Sequence, residues 1–332
     1  SMERLLITLI LVCTMNNITN AQNPFYGQYH TPHEAVPFDR IETEHYEPAI
    51  LEGIKLQNAE IEAIIQNPEK ADFTNTIEAF EESGKLLDKV VAVFGNMLSA
   101  ETNDDLQELA QKIMPLLSEH SNNITLNEKL FARVKEVYNQ KETLQLTQEQ
   151  KQLLENAYNS FIRHGANLEG EAREEYRRLT TELSKLTLTF SENNLKETNA
   201  YQMLLTKKES LAGLPEIIIE AAAETAKNEE KEGWAFTLHA PSYIPFMTYS
   251  DNRDLRQKLY MAYNTKCTHD NEFNNIDIVK KIANTRMKIA QLLGYKDYAE
   301  YTLKKRMAEN SKSVYKLLNQ LLEAYTPTAQ QE

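Results

Sequence analysis

Between Glu171 and Ala200 the chain runs without a single glycine or proline, and this stretch limits the possible folds more than any other. Tyr176, Leu179, Leu183, Leu186 and Phe190 recur at alternating steps of three and four, which puts one apolar stripe along a helix. Glu171, Arg173, Glu174, Arg177, Arg178 and Glu182 take the remaining positions, so the opposite face is wet. At 1.5 Å per residue the run makes roughly 45 Å of helix. One short neighbour cannot cover a stripe of that length, so several helices must pack on it. The expectation is a mainly α, elongated multi-helix lobe built around this segment.

Composition agrees. Only nine glycines occur in 332 residues, which argues against a β-rich or dinucleotide-binding α/β fold. The formal net charge is −13. An acidic balance repels phosphate, so nucleic acid and anionic membrane are poor candidates as partners. A solvated acidic surface is the plain reading of this charge, and attraction of cations or cationic peptides is the functional one.

Along the chain, residues 23–38 carry Pro24, Pro32 and Pro37 with aromatics between them, which predicts an extended arm laid over the surface. Thr43 can cap a helix that carries Ile50, Ile54, Ile61 and Ile65 and ends at Asn67-Pro68. Asn75 is a second cap, with Glu78 three residues on and a stripe from Ile77 to Leu98 that includes Gly84. Two shorter helices follow, Asp104 to Leu117 and Glu128 to Tyr138. Thr147 and Gln150 form a capping box that opens a helix with Leu154, Tyr158 and Phe161 facing inward. After the long helix the pattern changes. Tyr201 to Leu205 and Trp234 to Leu238 predict one small antiparallel β pair flanking a helix from Pro215 to Ala226. Tyr243 to Tyr249 reads as an aromatic loop. Helices are expected again over Asn252–Asn264, Asn274–Leu293 and Lys312–Ala324. In the last of these Val314, Leu317, Leu318, Leu321 and Leu322 make the likeliest uncovered apolar edge.

The N-terminus looks like a targeting segment. Met2, Glu3 and Arg4 precede an apolar run, Leu5 to Met15, and Thr19 and Ala21 suit signal peptidase. The expected organisation is a signal peptide over 1–21, an N-terminal arm over 22–40 and a helical lobe over 41–332. The mature chain is expected to be exported, either periplasmic or secreted. Cleavage would leave Cys267 as the single cysteine, which rules out an intrachain disulfide and favours an inert, partly buried thiol.

Arrangements that carry chemistry are hard to find. The sequence has no Walker loop, no G-x-G-x-x-G and no G-x-S-x-G elbow. Seven histidines, at 30, 33, 45, 120, 164, 239 and 269, are scattered. His30, His33 and Glu34 come nearest to a zinc motif, but Pro32 and Pro37 forbid the helix that would display them, so a surface arm is the better reading. His164, ahead of Gly165, suits a helix C-terminus better than a general base. Glu81-Glu82, Glu174-Glu175 and Glu229-Glu230 read as solvated faces. Arg253 and Arg256 could meet a peptide carboxylate, although pairing with Asp251 and Asp254 is the simpler expectation. No catalytic, metal-ligating or substrate-binding residue is assigned from the sequence.

Several segments nevertheless carry a resemblance when taken in order. Phe38 to Ile50 (FDRIETEHYEPAI), Phe73 to Phe80 (FTNTIEAF), Arg163 to Ala166 (RHGA) and Leu186 to Asn199 (LTLTFSENNLKETN) come first. Gly213 to Pro215, Trp234 to Tyr249 (WAFTLHAPSYIPFMTY), Asn252 to Arg256, Ala290 to Tyr295 and Met307-Ala308 follow. Together they resemble the thimet oligopeptidase and peptidyl-dipeptidase (dipeptidyl carboxypeptidase) family of zinc metallopeptidases, with peptidyl-dipeptidase the nearer branch. The resemblance implies a helical, neurolysin-like molecule whose two lobes enclose a channel for short peptides, with water activated by zinc for hydrolysis. It also implies that the H-E-x-x-H helix, the third Glu ligand and the assisting Tyr and His belong to a C-terminal catalytic half. None of these is found up to Glu332. This chain is therefore expected to be an N-terminal portion, a channel wall with no zinc of its own and no activity alone. The alternative expectation is a stand-alone, non-catalytic helical protein that binds peptides or serves as a scaffold.

Overall fold

The computed structural model describes residues 23–332, so the expected signal peptide over 1–21 lies outside the described residues. The helices are α1 (Thr43–Ile65), α2 (Lys85–Ala100), α3 (Asp104–Thr125), α4 (Glu128–Asn139), α5 (Gln148–Arg163) and α6 (Gly170–Ala200). They continue as α7 (Glu216–Asn228), α8 (Ala240–Tyr249), α9 (Arg253–Asn264), α10 (Ile276–Leu292), α11 (Tyr298–Leu303) and α12 (Ser311–Gln331). The two strands are β1 (Met203–Leu205) and β2 (Trp234–Phe236). The protein is mainly α with one small two-stranded antiparallel sheet. The described residues divide into two compact units, one from 23–182 and 289–332 and the other from 183–288.

In the first unit the core grows from the expected stripes. Leu154 and Phe161 of α5 are fully buried against Leu130, Phe131 and Val134 of α4 and Ile61 and Ile64 of α1. Phe131 stacks on Phe161 at 5.8 Å, and Tyr138 stacks on Tyr158 at 3.8 Å. A Thr147–Gln150 capping box opens α5, with the Gln150 amide donating to Thr147 Oγ1 at 3.2 Å. Two of its four otherwise unpaired terminal amides are thereby satisfied. Residues after the second unit rejoin this core. The Arg163 guanidinium sits 4.1 Å over the Tyr301 ring and donates to the Tyr301 carbonyl, while the Tyr301 hydroxyl donates to the Arg163 carbonyl.

Four details of the helices in this unit differ from the sequence expectation. The stripe from Ile77 to Leu98 is not one helix: a π-helical turn (Phe73–Glu78) and a short α turn (Ala79–Glu81) precede a break, and α2 starts after Gly84 at φ +75°. The glycine does admit a close neighbour, because a Cβ there would stand 2.5 Å from Gln57 Nε2 of α1. The cap of the π turn is Asp72, whose carboxylate accepts from the Asn75 amide at 2.7 Å; Asn75 returns the bond at 2.9 Å and is the third residue of the turn. Glu42, not Thr43, is the N-cap of α1, and its amide donates to His45 Nδ1 at 2.9 Å. Finally, α3, which contains Pro115, runs on past the expected end at Leu117 to Thr125, because buried Ile113, His120 and Ile124 keep its inner face packed. One proline, which forfeits a single backbone bond, does not outweigh that burial.

The arm over 22–40 is anchored rather than merely laid on the surface. Phe25 is fully buried and meets Tyr46 at 5.5 Å, and Tyr46 in turn meets Phe94 at 5.2 Å. The Lys89 ammonium donates to the Phe25 and Gly27 carbonyls and lies 3.9 Å over the Tyr29 ring. An aromatic side chain in a sequence with no periodicity still gains a few kcal/mol by leaving water.

The second unit is organised by the sheet. Met203 pairs with Phe236 and Leu205 with Trp234; Met203 and Leu205 point inward and Leu204 outward. Phe236 meets Phe246 of α8 edge to face at 4.7 Å, and Leu211, Leu214, Ala222 and Leu259 complete this core. Tyr243 to Tyr249 lies in α8, not in a loop. Pro241 stands in the first turn, where its missing amide costs nothing, and burial of Phe246 holds the helix against the aromatic neighbours.

Candidate functional site

The sequence-predicted candidates do not converge. His33 lies in a 3-10 turn at φ 58°, and Glu34 accepts from the Tyr29 amide at 3.0 Å, so this cluster is spent on local structure. His45 closes the cap of α1. His164 is the C-cap of α5, with Nδ1 2.7 Å from the Ser160 carbonyl, which is the helix-end role expected of it. His239 bonds Thr237 and Asn199, and His269 faces Thr265 at 3.3 Å. His120 is buried, and its Nε2 lies 2.7 Å from Gln57 Oε1, a carbonyl oxygen that only accepts. The ring therefore carries its proton on Nε2, and burial holds its pKa below the usual histidine value.

Cys267 is buried at φ 59°, and its amide donates to the Glu197 carboxylate. Burial, and after it the Glu197 charge, pushes the thiol pKa up to about 11. A thiol held protonated at neutral pH is a poor nucleophile and a poor metal ligand. Around it Asn275 donates its backbone amide to the Cys267 carbonyl, and Asn271 donates to Glu197, so the segment before α10 is tied to α6.

Arg253 and Arg256 do not pair with Asp251 or Asp254 in any ion pair among the described residues. Arg256 instead donates to the Ser250 carbonyl, and Asn252 caps α9 by accepting from the Leu255 amide at 3.1 Å. The expected pairing lost to the peptide groups where α8 gives way to α9, which need partners more than exposed carboxylates do.

One surface stands out in the second unit, and the sequence reading missed it. Tyr243 of α8 stacks on Tyr263 of α9 at 4.1 Å, and the Lys266 ammonium lies 4.3 Å from the Tyr263 ring centre. Lys266 is held by Thr198 Oγ1 at 3.3 Å. Tyr249, Tyr260, Met261 and Ile244 are exposed on the same two helices. The clue was Tyr260 and Tyr263, three residues apart on one helix face. Flat amphipathic rings of this kind contact peptides well, but they supply no acid, base or nucleophile. Among the described residues no group of three or more His, Cys, Asp or Glu side chains is placed to hold a metal ion. The donor set of the described residues therefore does not fit a zinc site.

Residues 246–332 match the sequence profile described as Peptidase family M3. Over 311 residues the chain is 33% identical to the dipeptidyl carboxypeptidase of Escherichia coli, an alignment covering 93% of this chain and 46% of that protein. The chain is homologous to the M3 peptidases. The profile match starts at Phe246 within α8 and takes in α9 to α12, whereas the matches to individual M3 relatives extend over nearly the whole chain. Oligopeptidase A of Salmonella typhimurium is 30% identical over 314 residues, again 93% of this chain and 46% of the relative. The dipeptidyl carboxypeptidase of the same organism is 35% identical over 288 residues, 86% of this chain and 42% of the relative. The chain spans about half the length of the curated relatives that it matches.

Proposed function

We propose that this chain is the N-terminal, non-catalytic share of a zinc-dependent M3 oligopeptidase or peptidyl-dipeptidase that hydrolyses short peptides. The observation that carries the reading is homology over 93% of the chain that takes in only 46% of the relatives' length. The remaining length in such an enzyme would hold the zinc, which polarises the scissile carbonyl and activates water. This chain contributes shape: helical walls that exclude folded proteins, and exposed tyrosines on α8 and α9 for a peptide to lie against. Helix α12 supports the same reading. None of its residues is buried, and Tyr315, Leu322 and Tyr325 are each about two-thirds exposed, so its apolar face suits contact with the absent half. The signal-like run from Leu5 to Met15 supports an exported enzyme, periplasmic or secreted. No helix among the described residues is long and apolar enough to cross a membrane.

The test is direct. Incubated with zinc chloride and dialysed, the chain should retain no stoichiometric zinc and should cleave no internally quenched oligopeptide. Retention of one zinc per chain, or turnover, overturns the proposal. Sequencing beyond codon 332 should show an in-frame H-E-x-x-H. A native stop codon there would instead favour a stand-alone helical peptide-binding protein.

A further inference from the structure

The first unit carries a groove of about 650 Å³ between α1 and α3 that nothing above uses. Its apolar lining is Pro48 and Leu51 from α1 and Leu109 from α3, and Leu51 is nearly half exposed. An apolar side chain of that exposure gains by being covered. Four carboxylates rim the same groove: Glu44 and Glu47 from α1, Asp105 and Glu108 from α3. A single cation, Lys112, stands among them and pairs with Glu47. The groove thus already accepts one tethered ammonium. Glu44, Asp105 and Glu108 take part in no ion pair among the described residues, which leaves an excess of three negative charges around an apolar floor.

From this juxtaposition we infer that the α1–α3 groove docks a short basic, amphipathic peptide segment, one apolar side chain on Pro48, Leu51 and Leu109 and its cationic neighbours on the carboxylate rim. The chemistry selects the occupant. An acidic peptide or a phosphate meets uncompensated repulsion, and a second copy of this chain, with net charge −13, brings the wrong sign. A wholly apolar segment leaves the rim unused, while a cation without an apolar side chain leaves Leu51 wet. The inference needs no catalytic activity and stands apart from the proposed peptidase role.

The probe is the fluorescein-labelled peptide Arg-Leu-Ala-Arg-Leu, titrated into the chain and followed by anisotropy. Saturable 1:1 binding that weakens with added salt is expected. The double variant Glu44→Gln/Glu108→Gln should bind roughly two- to thirtyfold more weakly, the range for losing two surface charge contacts. Leu51→Ser should also weaken binding. The remote double variant Glu220→Gln/Glu224→Gln, on exposed positions of α7 in the second unit, should bind as the parent does. Circular dichroism of each variant verifies folding. Equal loss in both double variants would reduce the effect to diffuse acidic attraction and overturn the inference. So would equal binding of the Gln-Leu-Ala-Gln-Leu peptide, tighter binding of Glu-Leu-Ala-Glu-Leu, or sedimentation showing self-association through this groove.

Discussion

Helices α5 and α12 are written in the same language and meet opposite fates. Each is opened by a side-chain cap, Thr147 in one case and Asn310 in the other, and each carries an amphipathic stripe. In α5 that stripe ends in Leu154 and Phe161, both at or below 1% exposure. In α12 not one residue is buried, and Leu322 remains 67% exposed. Caps and periodicity determine that a helix forms and which face is apolar. Whether that face finds a partner depends on residues elsewhere, and α12 has none packed across it among those described.

The contrast can be broken by mutation, and the largest effect should come from Phe161. Phe161→Ala removes a ring stacked on Phe131 and should cost about 3–5 kcal/mol in urea denaturation. A cost below about 1 kcal/mol would mean that α5 is no better packed than α12. Next comes Gly84→Ala, which combines a left-handed backbone with a Cβ driven into the Gln57 amide, and should cost about 1–3 kcal/mol. Thr147→Ala removes the α5 cap and should cost about 1 kcal/mol. Leu318→Ser and Leu322→Ser in α12 should change stability by no more than about 0.5 kcal/mol while reducing self-association in sedimentation. A loss of several kcal/mol there would show that α12 is covered after all.

A pH experiment sharpens the same comparison. His120 belongs to the packed inner face of α3, and its pKa is held down by burial. A depressed pKa means that this stabilisation is intact above the unfolded histidine value of about 6.5 and is lost as pH falls through the folded value. The urea midpoint should therefore drop between pH 7.5 and pH 5, and His120→Gln should flatten that part of the profile. Cys267 works in the other direction. Its raised pKa gives stability that is complete below about 8.5, the unfolded thiol value, and is lost as pH climbs through about 11. Thiol titration by absorbance of a Cys13→Ser variant, which leaves Cys267 as the one thiol, should show no thiolate at pH 8.5.

The helical class, the β pair and nearly every helix were legible in the sequence, because steps of three and four and the Thr147–Gln150 box are local signals. Errors gathered where long-range packing decided. Gly84 breaks a stripe that reads as continuous, since its amide donates to Glu60 and Gln57 crowds the place of a Cβ, both from α1 and remote in sequence. The helix expected to end at Leu117 runs on to Thr125 because His120 and Ile124 are buried on its inner face. Phe25 lies in an aperiodic, proline-rich arm, so nothing local marked it as a core residue. The chemistry was legible mainly by resemblance. No donor cluster is written in local spacing, and the stack of Tyr243 on Tyr263 exists only once α8 and α9 are in place.

The clasp between Arg163 and Tyr301 closes over everything encoded between them. Residues 183–288, which form a unit of their own, are threaded through the middle of the other unit's gene segment. On a ribosome adding about 5–20 residues per second, Arg163 would wait on the order of ten seconds for its tyrosine to emerge. During that interval the interrupted unit is unfinished while the inserted one can already be complete. Nascent-chain proteolysis should accordingly find the core of residues 61–166 protected early, and the Arg163 end of α5 fully protected only after Tyr301 has emerged.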